Sequence, residues 1–143
     1  MRVMGIDLGS KRIGIAVSDE TGILSQGKEV IADKSEKDAI ARIKQLVEEL
    51  DIKEIVVGFP VNMNGTIGEK AENSRMFARA ISRECAIMVK LWDERMSTME
   101  AESVLIRADI TRKKRRKVVD KLAAQIILQS YLDSLRYNDN CEE

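Results

Sequence analysis

Three acidic positions, far apart in the sequence, have the residue type and setting for chemistry. Asp7 ends one apolar run, the pair Asp93-Glu94 ends another, and Asp120 lies in the first turns of an amphipathic segment. A buried carboxylate is costly unless it is paired or binds a cation. Each position also has a structural interpretation, as strand-end solvation beside Arg95 or as a helix-start acid among Lys and Arg, and local sequence leaves both open.

The residue types that are absent narrow the chemistry. The chain has no His, which excludes Ser-His and Cys-His catalysis and histidine zinc sites. Cys85 and Cys141 form no C-x-x-C motif, so they indicate neither a metal knuckle nor a disulfide framework. Clustered carboxylates without histidine favour Mg²⁺ or Mn²⁺, and such ions activate water for phosphodiester hydrolysis.

A run of six cations ends three residues before Asp120. Its members are Arg112, Lys113, Lys114, Arg115, Arg116 and Lys117. The whole chain is neutral, with 24 basic and 24 acidic residues, so positive charge is concentrated in this run. Such a run is either a solvated face or a binding segment for a polyanionic backbone. Lys11, Arg12 and Arg95 could add phosphate contacts, and the 3% aromatic content favours recognition of backbone and shape over base stacking.

Hydrophobic periodicity predicts the elements that must position these residues. Three short strands come first, over Arg2–Asp7, Arg12–Ser18 and Ile23–Ile31, and their short links make them an antiparallel meander. The remaining predicted elements are, in order, a helix from Ser35 to Asp51, a strand over Glu54–Phe59, a helix over 67–84, a strand over Ala86–Trp92, a short helix over 97–106 and a long helix over Arg115–Tyr137.

This order predicts an α/β fold with a five-stranded mixed sheet flanked by helices. The two later strands follow helical crossovers and therefore run parallel to the first strand. Their C-terminal ends would bring Asp7, 60–64 and Asp93-Glu94 to one edge of the sheet, where open α/β sheets bind ligands.

Small residues surround two of the three acidic positions. If Gly5 and Asp7 share a face with Gly14, almost no side chains lie beside Asp7, which leaves room for a phosphate and a metal. The alternative is that the glycines only let a helix pack closely. Asp120 shares one side of the last helix with Ala123, Ala124, Ile127 and Tyr131 at helical spacing, a side expected to face the sheet.

Length and composition indicate one soluble domain. The chain has 143 residues, of which 44% are hydrophobic and 34% charged. We expect a single domain over 1–137 and a frayed acidic tail over 138–143. No apolar run reaches the length of a membrane span and Asp7 interrupts any signal-peptide core, so the expected location is the cytoplasm, with no membrane partner.

Four sequence blocks, in order, resemble the YqgF (RuvX-like) family of bacterial Holliday junction resolvases, also described as pre-16S rRNA nucleases, within the ribonuclease H-like superfamily. The blocks are Gly5-Ile-Asp-Leu-Gly with Arg12-Ile-Gly-Ile-Ala, Val57-Gly-Phe-Pro with Asn62-Met-Asn-Gly-Thr, Trp92-Asp-Glu-Arg-Met-Ser-Thr, and the basic run followed by Val119-Asp-Lys-Leu-Ala-Ala. The resemblance extends from Arg2 to about Leu135.

The resemblance implies a ribonuclease H-like, metal-dependent nuclease. Asp7, one acid of the Asp93-Glu94 pair and Asp120 match the catalytic, metal-binding positions; Glu94 is favoured as the middle acid, with Asp93 a close second. The implied substrates are precursor 16S rRNA, cut near its 5′ end, or a four-way DNA junction. A junction resolvase cuts two symmetric strands, which would call for a homodimer, whereas an RNA processor needs none.

Two other classes of function compete with the nuclease. A sugar or acetate kinase of the actin-like group shares the Asp-Leu-Gly and glycine-hairpin pattern, but it holds nucleotide between two such domains, and 143 residues provide one. A non-catalytic RNA-binding ribosome assembly factor would use the basic run alone and keep the three acids as structural residues.

Overall fold

The computed structural model describes residues 1–9, 11–32, 34–60, 65, 67–93 and 122–135. The elements are β1 (Arg2–Leu8), β2 (Arg12–Ser18), β3 (Ser25–Ala32), α1 (Glu36–Leu50), β4 (Ile52–Phe59), α2 (Glu69–Cys85), β5 (Met88–Asp93) and a helix over 122–135, here α3. This order confirms the predicted succession of elements. The short helix predicted over 97–106, the first turns of the last helix and the predicted tail over 138–143 lie outside the described residues.

Two predicted strands begin later than expected, for local reasons. β3 begins at Ser25 because the Asp19 carboxylate accepts hydrogen bonds from Thr21 Oγ1 and from the backbone N–H of Ile23, which holds the preceding residues in a turn. β5 begins at Met88 because Ala86 ends α2 in the left-handed conformation, with φ at 51°.

The five strands form one sheet in the order β3-β2-β1-β4-β5. β1 is antiparallel to β2 and parallel to β4, and β4 is parallel to β5, as the sequence predicted. The C-terminal ends of β1, β4 and β5 therefore meet at one edge of the sheet, hereafter the C-terminal edge.

Helices α1 and α2 cover one face of the sheet. Ser35 caps α1 by accepting a hydrogen bond from the Asp38 N–H, at 3.2 Å, and the helix buries Ile43 and Leu46 completely. Phe77 and Ile81 of α2 pack into the same apolar core. Within the described parts of the chain, no helix combines the length and hydropathy needed to cross a bilayer.

Helix α3 covers the other face at unusually short range. Its Ile127, Leu128 and Leu132 form a second core with Val3 and Val56 of the sheet. A Cβ atom on Gly5, between these strand positions, would lie 2.7 Å from Leu128 Cβ and 3.2 Å from the Ala124 carbonyl oxygen. Of the two interpretations of Gly5, the structure therefore supports close helix packing.

We predict that Gly5→Ala destabilises the protein by about 1–3 kcal/mol, because the added methyl group must push α3 away from β1. The contact is with Leu128 Cβ, which moves only with its helix, so a rotamer change cannot relieve it. Urea denaturation measures the effect. A free energy of unfolding equal to that of the unmodified chain would show that α3 does not rest on Gly5.

Candidate active site at the C-terminal edge

Asp7 is the next-to-last residue of β1 and lies partly exposed at the C-terminal edge. It pairs directly with Gly14 of the antiparallel strand β2. Directly opposed residues in an antiparallel pair point to the same face, so the faces of Asp7 and Gly14 coincide, as the sequence analysis supposed. This face is the one covered by α3, because Gly5 lies on it beneath Leu128.

On its other side Asp7 is level with a second glycine. Ile6 pairs with Val57, so the next residue of β4, Gly58, continues the row beside Asp7. Gly58 pairs in turn with Trp92, which lies against α3 through a hydrogen bond from its Nε1 to Ser130 Oγ, at 3.2 Å. Asp7 thus lies between two residues without side chains, so neither neighbouring strand places a side chain beside its carboxylate.

Asp93 lies on the opposite face of the sheet from Asp7. It pairs with Phe59, and Phe59 faces α2, whose Arg75 guanidinium lies 5.5 Å from the centre of the Phe59 ring. Trp92, the preceding residue, belongs to the face of Asp7. The two described candidate acids at this edge therefore point to different faces.

The other predicted site residues lie outside the described residues. These are Glu94, Arg95, Asp120 and the cations of the basic run, 112–117. In the part of the chain that the structure describes, no group of three Asp, Glu or Cys side chains is close enough to hold a metal ion. The prediction for Asp120 rested on a buried stripe, and the described members of that stripe, Ala123, Ala124, Ile127 and Tyr131, are all buried.

A polar cluster anchors α3 to the sheet beside the second core. The hydroxyl of Tyr131 donates a hydrogen bond to Glu54 Oε1 and accepts one from Lys90 Nζ, at 3.0 Å. Lys90 Nζ also lies 3.6 Å from Glu54 Oε1, so the buried carboxylate of Glu54 has two partners. Burial and the hydrogen bond to Glu54 raise the pKa of Tyr131, and the hydrogen bond to Tyr131 raises the pKa of Lys90.

Lys11 and Arg12 line a cleft beside the β1–β2 turn, on the face of the sheet covered by α1 and α2. The Gly9 N–H donates to the Arg12 carbonyl oxygen, at 2.8 Å, and closes this turn tightly. The cleft opens toward the start of α1 and toward α2, where Lys34 and Met76 line it. Sequence reasoning singled out the two turn residues but missed Lys34 and Met76, because neither belongs to a motif or a periodic pattern.

Comparison with known proteins gives a consistent family match. Residues 1–134 match the RuvX family, described as Holliday junction resolvase. A protein of Geobacillus kaustophilus (strain HTA426) is 54% identical over 138 residues, covering 95% of this chain and all of the relative. A protein of Bacillus subtilis (strain 168) is 50% identical over 137 residues, covering 94% of this chain and 99% of the relative. Both carry the name "Putative pre-16S rRNA nuclease".

Solved structures show the same fold at low sequence identity. RuvC of Thermus thermophilus, in complex with a Holliday junction substrate, aligns with a TM-score of 0.59 and 17% identity, covering 96% of both chains. The fowlpox virus resolvase, in complex with Holliday junction DNA, aligns with a TM-score of 0.59 and 16% identity, covering 94% of this chain and 99% of the viral one. The fold is therefore ribonuclease H-like, as the family resemblance implied.

We predict that Tyr131→Phe destabilises the protein by about 1–3 kcal/mol at neutral pH, because the buried Glu54 loses a donor. The raised pKa of Tyr131 means that the folded state holds the phenol proton more tightly than the unfolded state. The resulting stability is complete below the ordinary tyrosine pKa of about 10 and is lost as pH rises through the folded pKa. Urea denaturation at neutral pH and at pH values above about 10 should show that the free energy of unfolding of the unmodified chain falls at alkaline pH, and that it falls less in Tyr131→Phe. Equal falls in the two proteins would show that the Tyr131 hydroxyl does not anchor α3.

Proposed function

The chain belongs to the RuvX family, and from this membership we propose that it is a nuclease that hydrolyses phosphodiester bonds of structured nucleic acid and processes the 5′ end of pre-16S rRNA. The single observation that carries the proposal is the identity of 50% and more, over nearly the whole chain, to relatives named for that activity. Asp7 itself is partly exposed at the C-terminal edge and lies between Gly14 and Gly58, which is compatible with such a site.

We propose Asp7, Glu94 and Asp120 as the catalytic acids. For the middle acid, the choice between Asp93 and Glu94 follows from strand alternation. Asp93 faces α2, whereas Trp92 shares the face of Asp7, so the residue after Asp93 returns to that face if the strand continues by one residue. Strand alternation therefore supports Glu94, which the family resemblance also favours.

For Asp120 the support is the path of α3 across the sheet. Ala124 and Leu128 lie over Gly5, and Tyr131 lies over Glu54, which is level with Val3. Two strand residues advance about 6.6 Å, the rise of four to five helical residues. If the helix continues in the same direction before Leu122, moving back by that amount from Ala124 and Leu128 would bring the segment around Asp120 over Asp7, since Asp120 is four residues before Ala124.

The proposed donor set fits a hard divalent cation, Mg²⁺ or Mn²⁺, since Asp7 offers carboxylate oxygens and the chain has no imidazole. When bound, such an ion supplies Lewis-acid activation of a water and stabilisation of the leaving oxygen. The protein itself positions the three carboxylates and binds the nucleic-acid backbone. For backbone binding we propose Lys11, Arg12, Arg95 and the run of six cations over 112–117, which would neutralise phosphates.

Holliday junction resolution is the second candidate function, because the family description and the folds of two resolvases favour it. That activity would require a homodimer, which presents two active sites to a symmetric junction. In either case we propose one nuclease domain over 1–137, acting in the cytoplasm. A non-catalytic RNA-binding factor is the third possibility, and it differs from both in predicting binding without cleavage.

We predict that Asp7→Asn lowers cleavage by at least about 100-fold while binding is retained, because losing a direct metal ligand costs more than the 10–100-fold of an outer-shell change. The measurement incubates the protein with Mg²⁺ or Mn²⁺ and, separately, with a pre-16S rRNA fragment and a four-way DNA junction. Asp51→Asn is the matched control: Asp51 is exposed, precedes β4 at the opposite edge, and has a left-handed backbone that Asn accepts.

The substrate that is cut decides between rRNA processing and junction resolution. Cleavage by Asp7→Asn at the rate of Asp51→Asn would exclude the proposed site. Binding of either substrate without cleavage by any of the proteins would favour the non-catalytic factor.

The middle acid has its own test. We predict that Glu94→Gln abolishes cleavage and that Asp93→Asn keeps most of it, because Asp93 lies on the face of α2. Both substitutions preserve size and remove one charge, so each serves as the control for the other. Loss of cleavage in Asp93→Asn alone would reverse the assignment and would show that strand alternation does not extend beyond β5.

A further inference from the structure

The cleft beside the β1–β2 turn has the size of a small-molecule pocket. Its volume is about 360 Å³, within the 300–1,000 Å³ typical of pockets for small molecules. Apolar side chains of Leu8, Ile13 and Phe77 line it. A cavity of this size and character holds a single flat, partly apolar group and is too small for a duplex.

The charged residues around the cleft select an anion. Among the residues that the structure describes, Lys11, Arg12 and Lys34 line it, against one acidic side chain, Glu36. Lys11 and Lys34 are both exposed, so they can reach a phosphate at the mouth without leaving solvent. An apolar interior with a cationic rim matches a nucleotide, whose base is a flat ring system and whose phosphate is negative.

The cleft begins next to Asp7 in the chain but lies on the opposite face of the sheet. Leu8 and Gly9, which line it, directly follow Asp7 in the chain, and adjacent Cα atoms are about 3.8 Å apart. Asp7 belongs to the face of α3, whereas Leu8 packs into the core beneath α1 and α2. A nucleic-acid strand that crosses the C-terminal edge with one phosphate at Asp7 would therefore place the neighbouring nucleotide at the mouth of the cleft.

We propose that this cleft binds one unpaired nucleotide of the substrate strand, adjacent to the phosphate at Asp7. The inference rests on the proposed function and adds a requirement to it: the base must be unpaired to enter. The base packs against Met76 and Phe77, and Asn73 supplies an amide that can donate to and accept from a base edge. A fully paired duplex cannot fill the cleft, so the protein discriminates in favour of strands with an unpaired nucleotide beside the cleaved bond.

Met76 provides the variant for the test. Its side chain lines the cleft and is 64% exposed, so Met76→Glu places a carboxylate at the base-binding wall without burying it. Met88 is 61% exposed and lies at the start of β5, away from the cleft lining, so Met88→Glu is the matched control for added negative charge.

The experiment measures binding by fluorescence anisotropy in the Asp7→Asn background, with a labelled single-stranded RNA and with copies that each carry one abasic position. One base contact contributes about 1–3 kcal/mol, so we expect Met76→Glu to weaken binding by about 5- to 150-fold relative to Met88→Glu. We further expect one abasic position to weaken binding by a similar factor in the Met88→Glu protein and not in Met76→Glu.

Equal affinity of the two glutamate variants, or an abasic scan that is the same in both, would overturn the proposal, as would a failure of both proteins to bind the RNA. The readout is binding alone, so it separates this inference from the proposed function. If cleavage depends on Asp7 but the abasic scan is the same in Met76→Glu and Met88→Glu, the nucleotide-binding proposal is wrong and the proposed nuclease function stands. If the abasic effect is present in Met88→Glu and absent in Met76→Glu, but the unmodified protein does not cleave either substrate, the nucleotide-binding proposal stands and the proposed nuclease function is wrong.

Discussion

The close approach of α3 to the sheet is the constraint on which the rest of the site depends. Gly5 permits this approach, because any larger residue would meet Leu128. Polar contacts fix the helix on both sides of that point: Ser25 Oγ donates to the Gln125 carbonyl oxygen at 2.6 Å, and Tyr131 bonds to Glu54. These contacts fix the described part of α3 on the face of the sheet to which Asp7 belongs, and this placement supports the proposal that Asp120 lies near Asp7.

The two proposed binding surfaces lie on opposite faces of the sheet at its C-terminal edge. On the α3 face Asp7 lies between residues without side chains, a setting suited to a phosphate and its cation. On the other face Leu8 begins a cleft with apolar walls and a cationic rim. Strand alternation produces this division, since consecutive residues of β1 point to opposite sides. A single bound strand can therefore use both surfaces at once, one for the scissile phosphate and one for its neighbour.

The sequence predicted the strands and their directions, because period-two patterns and short links leave few topologies. It left open whether Asp7 and Gly14 share a face. It did not decide the role of Gly5, since glycine suits both an open site and a close helix contact. The cleft was missed for a different reason. Lys34 and Met76 are brought together by the packing of α1 and α2 at the sheet edge, and their local sequence carries no trace of that packing.

We propose that three acids distant in sequence meet at one cation, and anomalous diffraction from a crystal soaked in Mn²⁺ tests this arrangement most directly. The predicted result is a manganese peak bound by the carboxylates of Asp7, Glu94 and Asp120, on the face covered by α3. A peak bound through Asp93 on the α2 face, or an Asp120 carboxylate on the far side of the molecule from Asp7, would contradict it.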